Sequence, residues 1–117
     1  MIQLPHEVKI YMAVQPVNMR KSFDGLAVIV QEVLRQNPLS SHLFVFRNKA
    51  SDKMKVLWWD RNGFAIYYKR LERGRFKFPK HTKTSVTLTQ QELELLLDGI
   101  DISKLKRLPE LHYQAVL

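Results

Sequence analysis

The stretch from Met54 to Leu71 leaves the chain few ways to fold. Two runs rich in aromatic and β-branched residues, 54–60 (MKVLWWD) and 64–71 (FAIYYKRL), are joined by Asp60-Arg61-Asn62-Gly63. Asn-Gly between two such runs favours the tight turns with positive φ that close an antiparallel hairpin. More strand-like sequence surrounds it. Residues 42–47 (HLFVFR) and 84–88 (TSVTL) each predict a strand, and Glu72-Arg73-Gly74 predicts a second turn. Residues 75–78 alternate, with Arg75 and Lys77 on one face and Phe76 and Phe78 on the other, until Pro79 stops the run. Residues 7–14 (EVKIYMAV) also alternate. Val8, Ile10, Met12 and Val14 share one side, which predicts a strand with a single buried face.

Two segments carry helical spacing instead. Over 20–36, Phe23, Leu26, Ala27, Val30, Val33 and Leu34 recur at three- and four-residue steps. Ser22 is the expected N-cap, with Asn18 as an earlier alternative, and Asp24 suits the positive end of the helix dipole. Gly25 points to close packing, and Asn37-Pro38 ends the segment. The second helix opens on Thr89 and Glu92 at capping-box spacing. Leu93, Leu96, Leu97 and Ile100 form its stripe, and Gly99 is its stop. The expected architecture is one α+β domain over residues 1–100. It has a mostly antiparallel sheet of four to six strands with two packed helices. Residues 101–117 are read as a C-terminal tail whose packing the pattern leaves open.

Charge carries the first functional signal. The net charge of +8 is unevenly placed: residues 47–83 hold twelve Lys or Arg against three Asp or Glu. Clustered cations of this kind suit a polyanion, because they release counterions from phosphates. Lys69, Arg70, Arg73, Arg75, Lys77, Lys80 and Lys83 fall within fifteen residues, interleaved with Tyr67, Tyr68, Phe76 and Phe78. They are the expected nucleic-acid contacts, with Arg75 and Lys77 forming a row and Phe76 and Phe78 entering the core. In Trp58-Trp59 only one ring can face a given side of a strand. Parity with Met54 and Val56 sends Trp58 inward, and parity with Lys55 sends Trp59 outward. Trp59, with Arg20 and Lys21, is the expected protein-partner surface.

Other chemistries lack their residues. The chain has no Cys, which removes disulfides, thiolate metal sites and a Cys nucleophile. His6, His42, His81 and His112 show no metal-ligand spacing, so no metal is expected. Asp24, Asp60 and Glu92 have structural roles as helix-start charge, hairpin residue and capping-box partner, rather than roles in a nuclease triad. No Gly-rich phosphate loop, dinucleotide fingerprint or nucleophile elbow occurs, so no cofactor and no catalytic residue are expected. No apolar run reaches the ~20 residues of a membrane span, and Met1 to Val8 do not resemble a secretory signal. A cytoplasmic, soluble protein without membrane contact is expected.

Residues 19–26 (MRKSFDGL), 43–47 (LFVFR), 55–60 (KVLWWD), Gly63 and 69–76 (KRLERGRF) together resemble the TnpB-type accessory protein of the insertion-sequence family numbered sixty-six. That family is distinct from the RNA-guided nucleases sharing the TnpB label. The resemblance covers about residues 7–100. It implies a role beside a separate transposase and supplies no catalytic residue. Arg20, Lys21, Asp24, Trp58, Trp59, Arg70, Arg73 and Arg75 lie inside the matching motifs. The resulting expectation is a non-enzymatic accessory of bacterial DNA transposition that binds DNA, its cognate transposase, or both. Homo-oligomerisation stays open. One rival is a metal-independent ribonuclease of the small toxin type using His81 beside Lys80 and Lys83. The other is a protein-interaction module that meets an acidic partner without nucleic-acid contact.

Overall fold

In the computed structural model, residues 7–102 and the short strand at 114–115 are described. The hairpin forms from β3 (Lys53–Asp60) and β4 (Gly63–Arg70), paired antiparallel along their full lengths. Its turn differs from expectation. Asp60 pairs with Gly63, so Arg61-Asn62 is the two-residue loop, and the positive φ (59°) falls on Arg61. Gly63 is already a strand residue, because the ladder closes one position earlier than the Asn-Gly pair suggests.

Around the hairpin lie β1 (Ile10–Ala13), β2 (Leu43–Arg47), β5 (Ser85–Leu88) and β6 (Gln114–Ala115). Among the described residues they build one six-stranded sheet in the order β4-β3-β2-β1-β5-β6. Only β1 and β2 run parallel, and helix α1 (Phe23–Glu32) makes the crossover between them. Every other pairing is antiparallel. The fold is thus the α+β domain that the sequence predicts.

The sheet is covered on both sides, which corrects the expectation of one buried face for β1. Ile10, Met12 and Val14 pack with Val45, Val56 and Val86 against α2 (Gln90–Leu97). Tyr11 and Ala13 pack with Phe44, Phe46 and Leu57 against Leu26, Val30 and Leu34 from the α1 side. Alternation along a strand only separates two faces; here each face has its own helix. The α1 stripe is narrower than its spacing suggests, since Phe23 and Val33 are exposed. Ser22 holds the N-cap position but caps only through its backbone: no side-chain cap bond forms, and its carbonyl accepts from Leu26 N at 2.9 Å. At Gly25 a Cβ would approach the Lys21 side chain at 3.2 Å, so the crowding is local to one flexible chain.

Helix α2 is fixed at both ends. Thr89 Oγ1 accepts from Glu92 N at 3.0 Å, and Glu92 Oε1 accepts from Thr89 N at 2.8 Å. At the other end Gly99 (φ 80°) donates to Leu96 O and Ile100 donates to Leu95 O, the reciprocal pair of a Schellman stop. Ile100 itself is exposed rather than part of the stripe. Just beyond, Ile102 is buried in the core, and Gln114–Ala115 pairs with β5. The rest of the expected tail, 103–113 and 116–117, lies outside the described residues.

Residues 75–78 join no ladder, contrary to expectation, although their alternation survives. Phe76 N donates to Ser51 O at 2.7 Å, and the Phe76 ring is only 2% exposed within the α2-side core. Arg75 and Lys77 point to solvent. A backbone bond to a turn anchors the segment, which has no neighbouring strand. Phe76→Ala should therefore destabilise the fold by about 3–5 kcal/mol in equilibrium denaturant unfolding. A loss below about 1 kcal/mol would show that this ring is not part of the core.

Candidate anion-binding cleft

The basic segment folds back on the β2–β3 turn. Leu71 N donates to Asp52 O at 2.8 Å, Gly74 takes a positive φ of 75°, and Phe76 is anchored on Ser51. Asn48 braces that turn: its Nδ2 donates to Asp52 Oδ1 at 2.6 Å and its Oδ1 accepts from Lys53 N at 3.0 Å. The Asn48 bond, aided by Lys53, holds the Asp52 carboxyl below its usual pKa. Between this turn, the ends of β1 and β2, and residues 75–81 opens a cleft of about 850 Å³. Five cationic side chains line it: Arg47, Lys49, Arg75, Lys77 and Lys80. His81 and Asp101 also line it.

Arg47 is the most firmly placed of these. Its Nη2 and Nε donate to Val14 O at 2.9 and 3.3 Å, and its Nη1 donates to Ser51 Oγ at 3.3 Å. The guanidinium lies 5.6 Å from the centre of the Phe78 ring. Burial lowers its pKa from the usual value, yet an arginine remains charged at neutral pH. Phe78, expected in the core, is half-buried: it packs on the core with one side and lines the cleft with another. Its ring is tilted against Phe76 at 5.8 Å.

The structure divides the predicted basic residues. Arg75, Lys77 and Lys80 reach the cleft. Lys69 Nζ instead donates to Leu97 O at 2.8 Å, capping the C-terminus of α2 where a cation suits the helix dipole. Arg70 pairs with Glu72 at 2.9 Å, and that carboxylate raises the Arg70 pKa. Arg73 and Lys83 are exposed away from the lining. Lys83 contributes its backbone N–H, which donates to His81 Nδ1 at 3.0 Å. Arg47 and Lys49 were not singled out from the sequence. The signal for Arg47 was strand parity: in LFVFR it shares the face of Leu43 and Val45, so it points inward.

The expected partner residues lie on the α1 side of the sheet, and no contact joins Trp59 to Arg20 or Lys21 among the described residues. Lys55, expected outward, is only 7% exposed and spans from β3 to the loop before α1. Its Nζ donates to Met19 O at 2.8 Å and to Lys21 O at 2.9 Å, and lies 4.7 Å from the Tyr68 ring centre. Burial lowers its pKa. Burying an ammonium is tolerable only with such partners. Arg20 and Lys21 are exposed on the loop it pins. Trp58 packs on the α2-side core, as parity predicts. Trp59 is also half-buried and meets Phe64 edge-on at 5.1 Å.

Among the described residues no three His, Cys, Asp or Glu side chains converge on a metal-binding geometry. Among these residues no helix is long and apolar enough to cross a membrane.

A two-faced sheet with a basic cleft defines a small α+β protein, and its sequence relatives give its family. The sequence profile described as IS66 Orf2 like protein matches residues 8–107, so the chain belongs to that family. The family is associated with insertion-sequence transposition as an accessory and is not known to be catalytic. The chain is 40% identical over 101 residues to the uncharacterized protein y4hO of Sinorhizobium fredii (strain NBRC 101917 / NGR234), covering 86% of this chain and 88% of that one. It is 34% identical over 102 residues to the uncharacterized protein y4jC of the same organism, covering 87% of each. No solved structure matches the chain.

Lys55→Met keeps most of the side-chain volume and leaves the Met19 and Lys21 carbonyls without their donor. It should cost about 1–3 kcal/mol of stability. Amide exchange should rise first in residues 19–22. Unchanged protection there would show that Lys55 does not hold the loop.

Proposed function

We propose that this protein serves transposition as a non-enzymatic DNA-binding accessory whose cleft holds phosphates. One observation carries the reading: cations from two segments far apart in sequence, 47–49 and 75–80, line one concave site. Phosphate contacts of this kind position a protein on nucleic acid without reading its sequence. The cognate transposase is the natural protein partner. Arg20, Lys21 and Trp59, on the α1 side, leave the cleft open to DNA while that partner docks.

His81 gives the ribonuclease reading its only foothold, since it lines the same cleft. Its Nδ1 already accepts the Lys83 N–H. That bond leaves one ring nitrogen, Nε2, for any other contact. RNA cleavage in EDTA would favour the ribonuclease reading, and binding without cleavage the accessory reading.

Replacing Arg75 and Lys77 together by Glu should weaken DNA binding strongly at low salt and less at high salt, with little regard to sequence. Two lost phosphate contacts should lower the slope of log affinity against log salt by about 1.8. The melting temperature should stay near that of the parent, since both side chains point to solvent. If the variant binds DNA as the parent does, the cleft is not a nucleic-acid site.

A further inference from the structure

Nucleic-acid sites that take unpaired strands combine a basic groove with an aromatic ring on which a base stacks. The cleft has both parts. Phe76 is buried beneath, so Phe78 is the ring that the cleft presents, and it stands among Arg75, Lys77 and Lys80. The ring is held from two directions, by Phe76 at 5.8 Å and by the Arg47 guanidinium at 5.6 Å. A ring fixed in this way loses little freedom when a base lies against it. Arg75 and Lys77 flank buried Phe76, and both are exposed along the cleft. Arg75 and Lys77 can then meet neighbouring phosphates of a strand that runs alongside.

A duplex fits these parts poorly. Its bases are stacked on one another and present no face to Phe78, and its backbones lie on the outside of a stiff cylinder. The sheet offers no other stacking platform over its middle strands, because α1 and α2 cover its two faces. Resting on the DNA-binding reading above, we propose that the cleft takes single-stranded DNA, with one base stacked on Phe78 and the flanking phosphates held by Arg75, Lys77 and Lys80. Such a preference would suit an accessory acting where strands are opened at the ends of a mobile element.

Fluorescence anisotropy of the full chain with labelled dT12, and with a labelled duplex of the same length at the same salt, tests this. The single strand should bind at least about tenfold more tightly than the duplex. Phe78→Leu should weaken dT12 about five- to a hundredfold. Phe78→Tyr, which keeps a ring, should bind dT12 like the parent, and this separates stacking from any loss of fold in the Leu variant. Equal or tighter duplex binding would overturn the proposal, as would a Leu variant that binds dT12 like the parent. The two readings fail differently. If both probes bind equally and the Arg75 and Lys77 to Glu variant loses both, the DNA-binding function stands and the single-strand preference falls. If the parent binds neither probe, both fall.

Discussion

The Arg47 guanidinium donates to the Val14 carbonyl from two of its nitrogens and to Ser51 Oγ from the third. These bonds tie the end of β2 to the end of β1, at the only parallel pairing described in the sheet. They also reach the β2–β3 turn, to which Leu71 and Phe76 bond. A cation partly removed from water is costly unless it is well hydrogen-bonded. These hydrogen bonds go to neutral oxygens, so they solvate the charge without cancelling it. Arg47 therefore adds a fixed positive charge at the back of the cleft, with Phe78 against it. Lys49, Arg75, Lys77 and Lys80 add theirs around it. Like charges gathered this closely repel, and a bound anion relieves that repulsion.

The basic middle third of the chain is not a single patch. Lys55 and Lys69 sit on opposite faces of the hairpin and each bonds carbonyls that would otherwise lack a donor. Lys55 holds the loop that leads into α1, and Lys69 closes the end of α2. Arg70 is engaged by Glu72. The same residue type thus splices each helix to the hairpin and, elsewhere, lines the cleft. An exposed ion pair such as Arg70–Glu72 adds little stability. The lysine contacts to Met19, Lys21 and Leu97 carbonyls matter more, because they are shielded from solvent at least in part.

Strand and helix positions were legible because their signals are local. The apolar alternation of 54–71 and the Thr89–Glu92 capping box each specify an element within a few residues. Face assignment was legible only where one residue type dominated. Met54, Val56 and Trp58 do share a face, but Lys55 turns inward because the loop at 19–21 offers it two carbonyls, and no local pattern reveals that. Residues 75–78 mimic a strand because buried Phe76 and exposed Arg75 and Lys77 alternate, yet the partner is a turn and not a strand. The cleft was half legible. Its 75–80 wall lies in the basic run, whereas Arg47 and Lys49 join it only through the fold.

The central claim is that nucleic acid meets this chain at the cleft and not over its basic surface at large. Titrating the 15N-labelled protein with a short DNA oligonucleotide, and following each backbone amide by NMR, tests it most directly. The account predicts that the largest shifts map to residues 47–51 and 75–81, with 19–22 and the 60–63 turn nearly still. Shifts centred on Arg20 and Lys21, or spread evenly over every exposed Lys and Arg, would contradict it.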